Sequence, residues 1–512
     1  MLAACTVGPT YHKPDIKAPD AWRTDITQAP GDAGANSLSA NGAAAPATSQ
    51  PTPPGGTAGA AAPATGGTPA QVAQPNALPA AAPPYAEWWR GFNSAQLDDL
   101  IGQALKSNDD LAAAVARVQE ADAQLRIAGA ALFPSLAVSG AATRQRVKQQ
   151  NIVVSTAGGA TTVGTTTQPA TGNQFAAQAN ASYELDFWGK NLASRRSAYY
   201  LAQASRYDRA TVELTVMTSV AVTYFQAMEL HDRVTVTEQD LETARKILDG
   251  LRLQASVGIA NALDVAQEET TVAVLSASIP PLEQGFRQAV NALAILVGKL
   301  PQELEFPGGQ LTDLLEPQVQ PGLPSQLLAR RPDVAAAEAQ LVSANADIAA
   351  ARAAFFPSID LTADGGFQSA ALSNLFTPAN RLFAITGQLV QQVFSGGALT
   401  GKYRLTKARY SELLADYHKS VLSAFGDAEN ALIALQQTAE QYRRQQAAVA
   451  SARRAYEFSE TQMRAGTVNV LTVLNTQSAL FNAEDTLVQV RFAHLQALVQ
   501  LFSALGGGWQ KV

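Results

Sequence analysis

The chain has 512 residues, of which 16% are charged, and its 43 acidic and 37 basic side chains give a net charge of −6. This balance provides no overall basic charge that would argue for nucleic-acid binding, and no run of about 18 consecutive apolar residues predicts a transmembrane helix. The four histidines lie far apart, and no phosphate-binding loop or nucleophile motif occurs. We therefore predict no metal, no cofactor and no enzyme. A buried acidic pair is the one enzymatic alternative left open.

The first segment, 1–28, contains the only cysteine, Cys5, so no intramolecular disulfide bond can form. Leu2, Ala3 and Ala4 precede it, and small residues before a cysteine resemble the site at which bacterial signal peptides are cleaved and the cysteine receives a lipid. We predict lipidation of Cys5. The alternative is an ordinary cysteine, because this start lacks the charged and apolar regions of a signal peptide.

The second segment, 29–84, consists mostly of Ala, Pro, Gly and Thr. Such a composition cannot bury enough apolar surface to offset the entropy of ordering it. We predict a disordered linker, with ordered structure beginning near Trp88 and Trp89.

Prolines indicate where long helices lie in the remainder of the chain. Fourteen of the 26 prolines fall in 1–84, and none occurs in 170–279 or after Pro378. Proline inside a helix costs about 3 kcal/mol, so the proline-free tracts can hold very long helices. We predict helices at 189–257 and 398–465, each roughly 100 Å long at 1.5 Å per residue.

A tandem repeat organises the chain from residue 85 onward. Asp110 and Asp333 each begin an alanine-rich helix, and Pro134 and Pro357 each end one, with a spacing of 223 residues in both cases. A carboxylate is favoured at a helix N-terminus, and the residue before a proline is biased towards extended structure. The predicted copies are 85–300 and 301–508.

Each copy contains a predicted strand pair with alternating apolar and polar residues. The clearest alternation runs from Phe175 to Phe187, and period 2 over about 10 residues with aromatic ends is typical of a transmembrane barrel strand. The alternative is a soluble, half-buried hairpin. The predicted strands are 135–147, 174–187, 358–368 and 382–394, with a bulge at Gln391.

Two further features favour the membrane. The polar faces carry four acids that suit a wet lumen, namely Glu184, Asp186, Asp360 and Asp364. Residues 148–173 and 369–381 are rich in Gly, Thr, Ser and Asn, as extracellular barrel loops are. We therefore expect these two segments to be loops.

The repeat also covers the glycine turns at both ends of the long helices. The strand pairs lead into Gly189 and Gly396, 207 residues apart, and the helices end at Gly258 and Gly466, 208 apart. Glycine suits a helix end and asparagine suits the next start. Returning helices are predicted at 262–299 and 470–505, and Pro280-Pro281 should kink the first or swing it outward. The matching tip residues are Gly258, Asn261, Leu263, Gly466, Asn469 and Leu471.

The strand number predicts an oligomer. Four strands cannot close a barrel, since known barrels need at least about eight, and open strand edges in lipid leave backbone groups unsatisfied. Two chains would supply eight strands and three would supply twelve, and only twelve leave a useful bore. The predicted fold class is an α+β membrane protein: a trimeric 12-stranded transmembrane β-barrel, four strands per chain, continued by a long α-helical coiled-coil barrel.

Several motifs together resemble the outer-membrane efflux proteins (TolC-like), in the lipoprotein branch that serves resistance-nodulation-division pumps. They are the Cys5 region, Trp88-Trp89, the doubled Phe-Pro-Ser, the segment from Glu184 to Gly189 and the doubled glycine turns. The resemblance covers about 88–508 and the first 22 residues. It implies a homotrimeric duct that is lipid-anchored in the outer membrane of a Gram-negative bacterium and extends into the periplasm.

In such a system the duct passively conducts substrates that an inner-membrane resistance-nodulation-division pump and a periplasmic adaptor deliver. The tips would dock the adaptor, and the barrel would contact outer-membrane lipid. Two alternatives are a lipid-anchored periplasmic coiled-coil scaffold and the outer-membrane duct of a type I secretion system. The barrel-to-helix junctions are expected at Pro134, Gly189, Pro357 and Gly396.

The resemblance also suggests a periplasmic gate. In relatives, acidic residues near the second tip narrow the aperture, but the positions that align on Gly466 are Thr472 and Asn475, both uncharged. The acid in this chain is Asp264, on the first tip. We predict a ring of three Asp264 carboxylates with Thr472 and Asn475 lining the constriction. The alternative is that Asp264 only favours the helix N-terminus.

Overall fold

The structure, a computed structural model, describes residues 8–14, 18–19, 21–24, 87–157, 160–306, 308–319, 322, 324–507 and 509. Cys5 and the linker predicted at 29–84 lie outside these residues. The helices are α1 (Ala95–Ser107), α2 (Asp109–Ala130), α3 (Lys190–Ser256), α4 (Ala262–Leu296), α5 (Pro324–Arg330), α6 (Pro332–Ala353), α7 (Ala398–Arg464) and α8 (Val470–Ala504). The strands are β1 (Ser135–Ala157), β2 (Ala160–Glu184), β3 (Ser358–Ser369) and β4 (Arg381–Val390).

The two longest helices, α3 and α7, have 67 residues each. Neither contains proline, and hydroxyl side chains along α3 donate to carbonyls one turn earlier, as Thr215 does to Thr211. α4 is continuous through Pro280 and Pro281, and the kink expected there stays a prediction. Within the described residues, no helix combines the length and apolar character needed to span a membrane.

The strands form one antiparallel sheet in the order β1-β2-β3-β4. The register places Tyr183 opposite Leu361, Ala181 opposite Ala363, and Ala363 opposite Ile385. Opposed residues point to the same face, so the apolar residues of neighbouring strands share one face of the sheet. This face is uncovered in the single chain, where Ile385 is 80% exposed.

The observed strands correct three expectations. β1 and β2 have 23 and 25 residues, so most of 148–173 is strand and not loop, consistent with its many β-branched Val and Thr residues. β2 ends at Glu184, three residues short of the prediction. β4 ends at Val390, so the strand does not reach 394 and no bulge forms at Gln391.

The early end of β4 has a local cause. Its partner β3 begins at Ser358, opposite Val390, and the preceding Pro357 has no backbone N–H to extend the ladder. The side-chain Nε2 of Gln391 donates instead to the carbonyl of Phe355 at 3.2 Å.

The contacts between the helices define their order. α3 packs against α2 and α4 and against α6 and α8, and α7 packs against α6 and α8. α4 also contacts α8 where Glu268 meets Gln477. α2 and α4, together called the α2/α4 row, are therefore the outermost helices at one end of this order among the described helices, and α7 is the outermost at the other. α2 leads into β1 and β4 leads into α7, so each outer row continues into one edge strand of the sheet.

Each returning helix ends where a shorter helix begins, and the two junctions have the same geometry. Gly298, after α4, has φ +70, and a Cβ there would lie 2.3 Å from the carbonyl oxygen of Ser107. Gly506, after α8, has φ +89, and a Cβ there would lie 2.1 Å from the carbonyl oxygen of Arg330. Only glycine combines a left-handed backbone with so close an approach.

Side chains join the same junctions. Nδ2 of Asn108 donates to the carbonyl of Leu296 at 2.9 Å, and Nη1 of Arg331 donates to the carbonyl of Ala504 at 3.4 Å. Asn108 and Arg331 are 223 residues apart, the spacing that relates Asp110 to Asp333. α4 with α2, and α8 with α6, therefore stack end to end beside the uninterrupted α3 and α7.

Candidate functional site

The junction between strands and helices is fixed by Asp186 and Trp188. The Asp186 carboxylate accepts from the backbone N–H groups of Asn191 at 3.0 Å and Leu192 at 2.7 Å, so it caps α3 and does not line the polar face as expected. Gly189 has φ +74, which lets the chain turn into the helix. Nε1 of Trp188 donates to the Pro357 carbonyl at 2.8 Å.

That hydrogen bond brings two predicted junction residues together across the two halves of the chain, because Gly189 follows Trp188 directly. Of the other two, Pro134 lines an open cavity with Arg126 and Arg195. Gly396 has φ +59 and precedes α7.

The polar face of the sheet holds carboxylates with close partners. The register places Glu184 opposite Asp360 and Asn180 opposite Asp364. Nζ of Lys190 lies 2.5 Å from Glu184 Oε1, and Asn180 donates to Asp364. One face of the sheet is thus polar and acidic while the other is apolar.

The first tip is a helix-turn-helix closed by reciprocal hydrogen bonds. Gly258 has φ +78, and the N–H of Ile259 donates to the Gln254 carbonyl at 2.9 Å. The Asp264 N–H donates to Asn261 Oδ1 at 2.9 Å, and Asp264 Oδ2 accepts from the Asn261 N–H at 3.2 Å. This capping box stabilises the start of α4, so in the single chain Asp264 has the role that the alternative assigned to it.

The second tip has the same backbone and no acid. Gly466 has φ +72, and Asn469 Oδ1 accepts from the Thr472 N–H at 3.1 Å and its hydroxyl at 2.8 Å. Asn475 is exposed one turn further along α8. Asp264 and Thr472 therefore occupy the same position of the two tips and differ in charge.

Apolar side chains are exposed at the tips. Ile259 and Leu263 are exposed on the first tip, and Leu471 on the second. Exposed apolar residues around a turn are typical of a protein contact surface.

Sequence reasoning missed a buried polar contact between the two hairpins near the tips. Nε2 of Gln477, on α8, lies 3.5 Å from Oε1 of Glu268, on α4, and both residues are almost completely buried. Burial raises the pKa of Glu268 to about 7, against the opposing effect of the hydrogen bond from Gln477. The available signal was a difference between copies, because Glu268 aligns with Thr476 at the tip spacing of 208.

A second charged cluster links α3 to α8 further from the tips. Arg233 donates to Asp485 at 2.6 Å and to Glu229 at 3.2 Å. Burial, with Glu484 and Asp485 nearby, raises the pKa of Asp240 to about 7. Across the described residues, no group of three or more His, Cys, Asp or Glu side chains could hold a metal ion. The cluster is a connection between helices.

Comparison with known proteins shows which protein family this chain matches. The family model described as "Outer membrane efflux protein" matches residues 100–299 and 323–507. The pyoverdine export outer membrane protein OpmQ of Pseudomonas aeruginosa is 40% identical over 424 residues, which cover 83% of this chain and 88% of the relative. The protein of the same name in Pseudomonas putida is 38% identical over 464 residues, which cover 91% and 95%.

A solved structure of the outer-membrane channel OprN superimposes with a TM-score of 0.81 at 23% identity, covering 99% of this chain and 100% of that one. At this identity the likeness concerns the fold, which is mostly helical with a few strands in both proteins.

Proposed function

Because the chain belongs to the outer membrane efflux protein family, we propose that three copies assemble into one duct across the outer membrane. The family predicted from the sequence motifs is confirmed, and with it efflux from a Gram-negative bacterium through an outer-membrane channel. A periplasmic scaffold is set aside, since the family consists of channels.

The main support for a trimer is that the sheet of each chain has two open edges. β1 and β4 have one unpaired side each, and the helical rows that continue them expose large apolar residues. These residues are Ile127 on α2, Val274 on α4, and Leu405 and Leu422 on α7. β4 and α7 of one chain can therefore join β1 and the α2/α4 row of the next. A head-to-tail contact of this kind generates a ring when its rotation closes.

Three chains are favoured by the strand count. Two chains would supply eight strands, and side chains fill the interior of a barrel of that size. Three chains would supply twelve strands, which leave room for a channel. Each chain then contributes two related sectors, which we attribute to a tandem duplication of the units 85–300 and 301–508. The paired junctions at Gly298 and Gly506 support this duplication.

The membrane anchor is proposed at Cys5. Gly8 and Pro9 line a cavity with Trp188 and Arg196 at the junction of strands and helices, and Nδ2 of Asn345 donates to the Pro9 carbonyl at 3.1 Å. Cys5 precedes Gly8 by three residues in the sequence, and this position of Gly8 supports a lipid anchor at Cys5.

The partners are proposed at the opposite end. The exposed Ile259, Leu263 and Leu471 suit a periplasmic adaptor that bridges to an inner-membrane pump. The resistance-nodulation-division class of that pump stays a prediction, with a type I secretion system as the alternative.

For the cargo, we propose a secreted siderophore, because two relatives that are 40% and 38% identical to this chain are named for pyoverdine export. Deleting the gene should lower the siderophore in the medium and raise it inside the cells, measured by chromatography. If the siderophore is distributed between cells and medium in the deletion strain as it is in the unmodified strain, this cargo is contradicted.

The duct and its gate are tested together by conductance in planar lipid bilayers. The purified protein should give discrete single-channel steps that a trivalent cation blocks from the tip side. Asp264→Asn removes the charge and keeps an oxygen for the Asn261 N–H. Loss of three carboxylates, each contributing about 1 kcal/mol or more at close range, should weaken the block at least ~10-fold.

Asp249→Asn is the matched control, because Asp249 is an exposed acid on α3 two turns before the first tip. Its block should equal that of the unmodified protein. If the trivalent cation blocks Asp264→Asn as strongly as the unmodified protein, only the charge ring is contradicted. If the purified protein shows no conductance at all, the duct is contradicted.

A further inference from the structure

The contact between Glu268 and Gln477 joins the two helical hairpins of one chain. Glu268 belongs to the hairpin of α3 and α4, and Gln477 to that of α7 and α8. Glu268 is 0% exposed and Gln477 is 1% exposed. Glu268 follows Asp264 by four residues, about 6 Å along the helix, so the contact lies beside the proposed constriction.

Two atoms of this pair have no partner among the described residues. They are Oε2 of Glu268 and Oε1 of Gln477, both buried. An ionised carboxylate only accepts hydrogen bonds, and so does the amide oxygen. With the carboxyl ionised, neither oxygen can satisfy the other, and a buried unsatisfied polar group costs about 1–3 kcal/mol.

A proton on Glu268 resolves both deficits at once. The protonated carboxyl can donate its O–H to Oε1 of Gln477 while Nε2 of Gln477 donates to Oε1 of Glu268. The acid and the amide then form a closed pair with two hydrogen bonds.

The surroundings favour the neutral acid. Burial raises the pKa of Glu268 to about 7, and no basic side chain contributes to the shift. On α3, Arg252 pairs with the neighbouring Glu269 at 2.8 Å. On α7, Tyr456 is a nearby titratable group. Burial, Glu460 and Glu268 raise its pKa, and Arg464 opposes this shift.

The pair exists in only one of the two copies. At the spacing of 208, Glu268 aligns with Thr476, and the Thr476 hydroxyl lies 2.7 Å from the hydroxyl of Ser459 within its own hairpin. The first copy thus directs an acid across to the other hairpin at a position where the second copy bonds locally.

We propose that Glu268 and Gln477 form a proton-dependent latch that holds the two hairpins together and thereby sets the width of the aperture. The proposal rests on the proposed duct function and adds a positioning pair and its regulation by periplasmic pH.

The direction of the pH dependence follows because the neutral form of Glu268 is the one that pairs with Gln477. Below a pH of about 7 the carboxyl is protonated and the latch is closed. As the pH rises through this value, the carboxyl ionises, a buried charge without a cationic partner results, and the hairpins separate. The latch therefore stabilises the closed tips in acid and is lost in alkali.

Single-channel conductance of the full-length protein, from about pH 5.5 to about pH 8.5, tests the latch across the pKa of Glu268. The unmodified channel should conduct little in acid and more in alkali, with a midpoint near pH 7. Glu268→Gln keeps two hydrogen bonds with Gln477 and cannot ionise. Its conductance should stay at the acid level, with a ratio between the two pH limits of about one.

Glu269→Gln is the matched control, because it makes the same chemical change one residue away at an exposed carboxylate paired within its own hairpin. It should titrate like the unmodified channel. Equal conductance of the unmodified channel and Glu268→Gln at every pH would overturn the latch, as would titration of Glu268→Gln with the original midpoint.

A second measurement guards against a folding defect. Heat-modifiable migration of each variant should match that of the unmodified protein. A folded protein that conducts at no pH contradicts the duct itself, so the two failures are distinguishable.

Discussion

Replacing Ile385 with arginine is expected to remove the protein from the outer membrane. Ile385 lies in the middle of β4, opposite Ala363 on the apolar face. An arginine facing lipid near the bilayer midplane costs about 2–4 kcal/mol per chain, and a trimer would bear this three times. The measurement is the amount of heat-modifiable oligomer in the isolated outer-membrane fraction, which should fall to background.

Thr386→Arg is the matched control for this prediction. Thr386 is the next residue of β4 and pairs with Thr362 on the polar face. An arginine there would face water beside the acidic side chains and should be tolerated. If both variants accumulate equally, or both are lost, the assignment of the two faces of the sheet is wrong.

Replacing Gly506 with alanine is expected to destabilise the helical part of the molecule severely. A left-handed residue with a side chain costs roughly 1–2 kcal/mol, and the added Cβ would overlap the carbonyl oxygen of Arg330. Overpacking of this kind costs about 1–3 kcal/mol more. The stacked ends of α8 and α6 would separate and lose the hydrogen bond from Arg331 to Ala504. Gly298→Ala should act similarly at the α4–α2 junction.

Gly466→Ala separates the backbone strain of a left-handed residue from the overlap of an added Cβ with a neighbouring atom. Gly466 has a positive φ of +72, but a Cβ there would meet no atom within 4 Å. This variant should show only the backbone strain of roughly 1–2 kcal/mol. Thermal unfolding of the detergent-solubilised protein is the measurement. Equal losses for Gly466→Ala and Gly506→Ala would contradict the importance of the close approach to Arg330.

Much of the fold could be predicted because its element ends are marked by residues with strong backbone preferences. Pro134 and Pro357 mark strand starts, and Gly258 and Gly466 mark helix ends. Alternation with period 2 also predicted which residues share a face, since the register places like residues opposite each other.

The remaining features depend on contacts that a local pattern does not contain. β4 ends where its partner β3 begins, at Ser358, and not where its own alternation stops. Asp186 continues the alternation of β2, yet the free N–H groups of α3 take its carboxylate as a cap.

The candidate site shows the same division. Asp264 and Thr472 could be placed at the tips from the glycine spacing alone. Glu268 could not be linked to Gln477, because 209 residues separate them and only the packing of α4 against α8 brings them together.

Closure of one barrel by three chains can be measured by native mass spectrometry of the protein extracted from outer membranes in mild detergent. We expect one dominant species with the mass of three chains, since twelve strands close the barrel that four leave open. A dominant monomer, a dimer or a ladder of larger assemblies would contradict it.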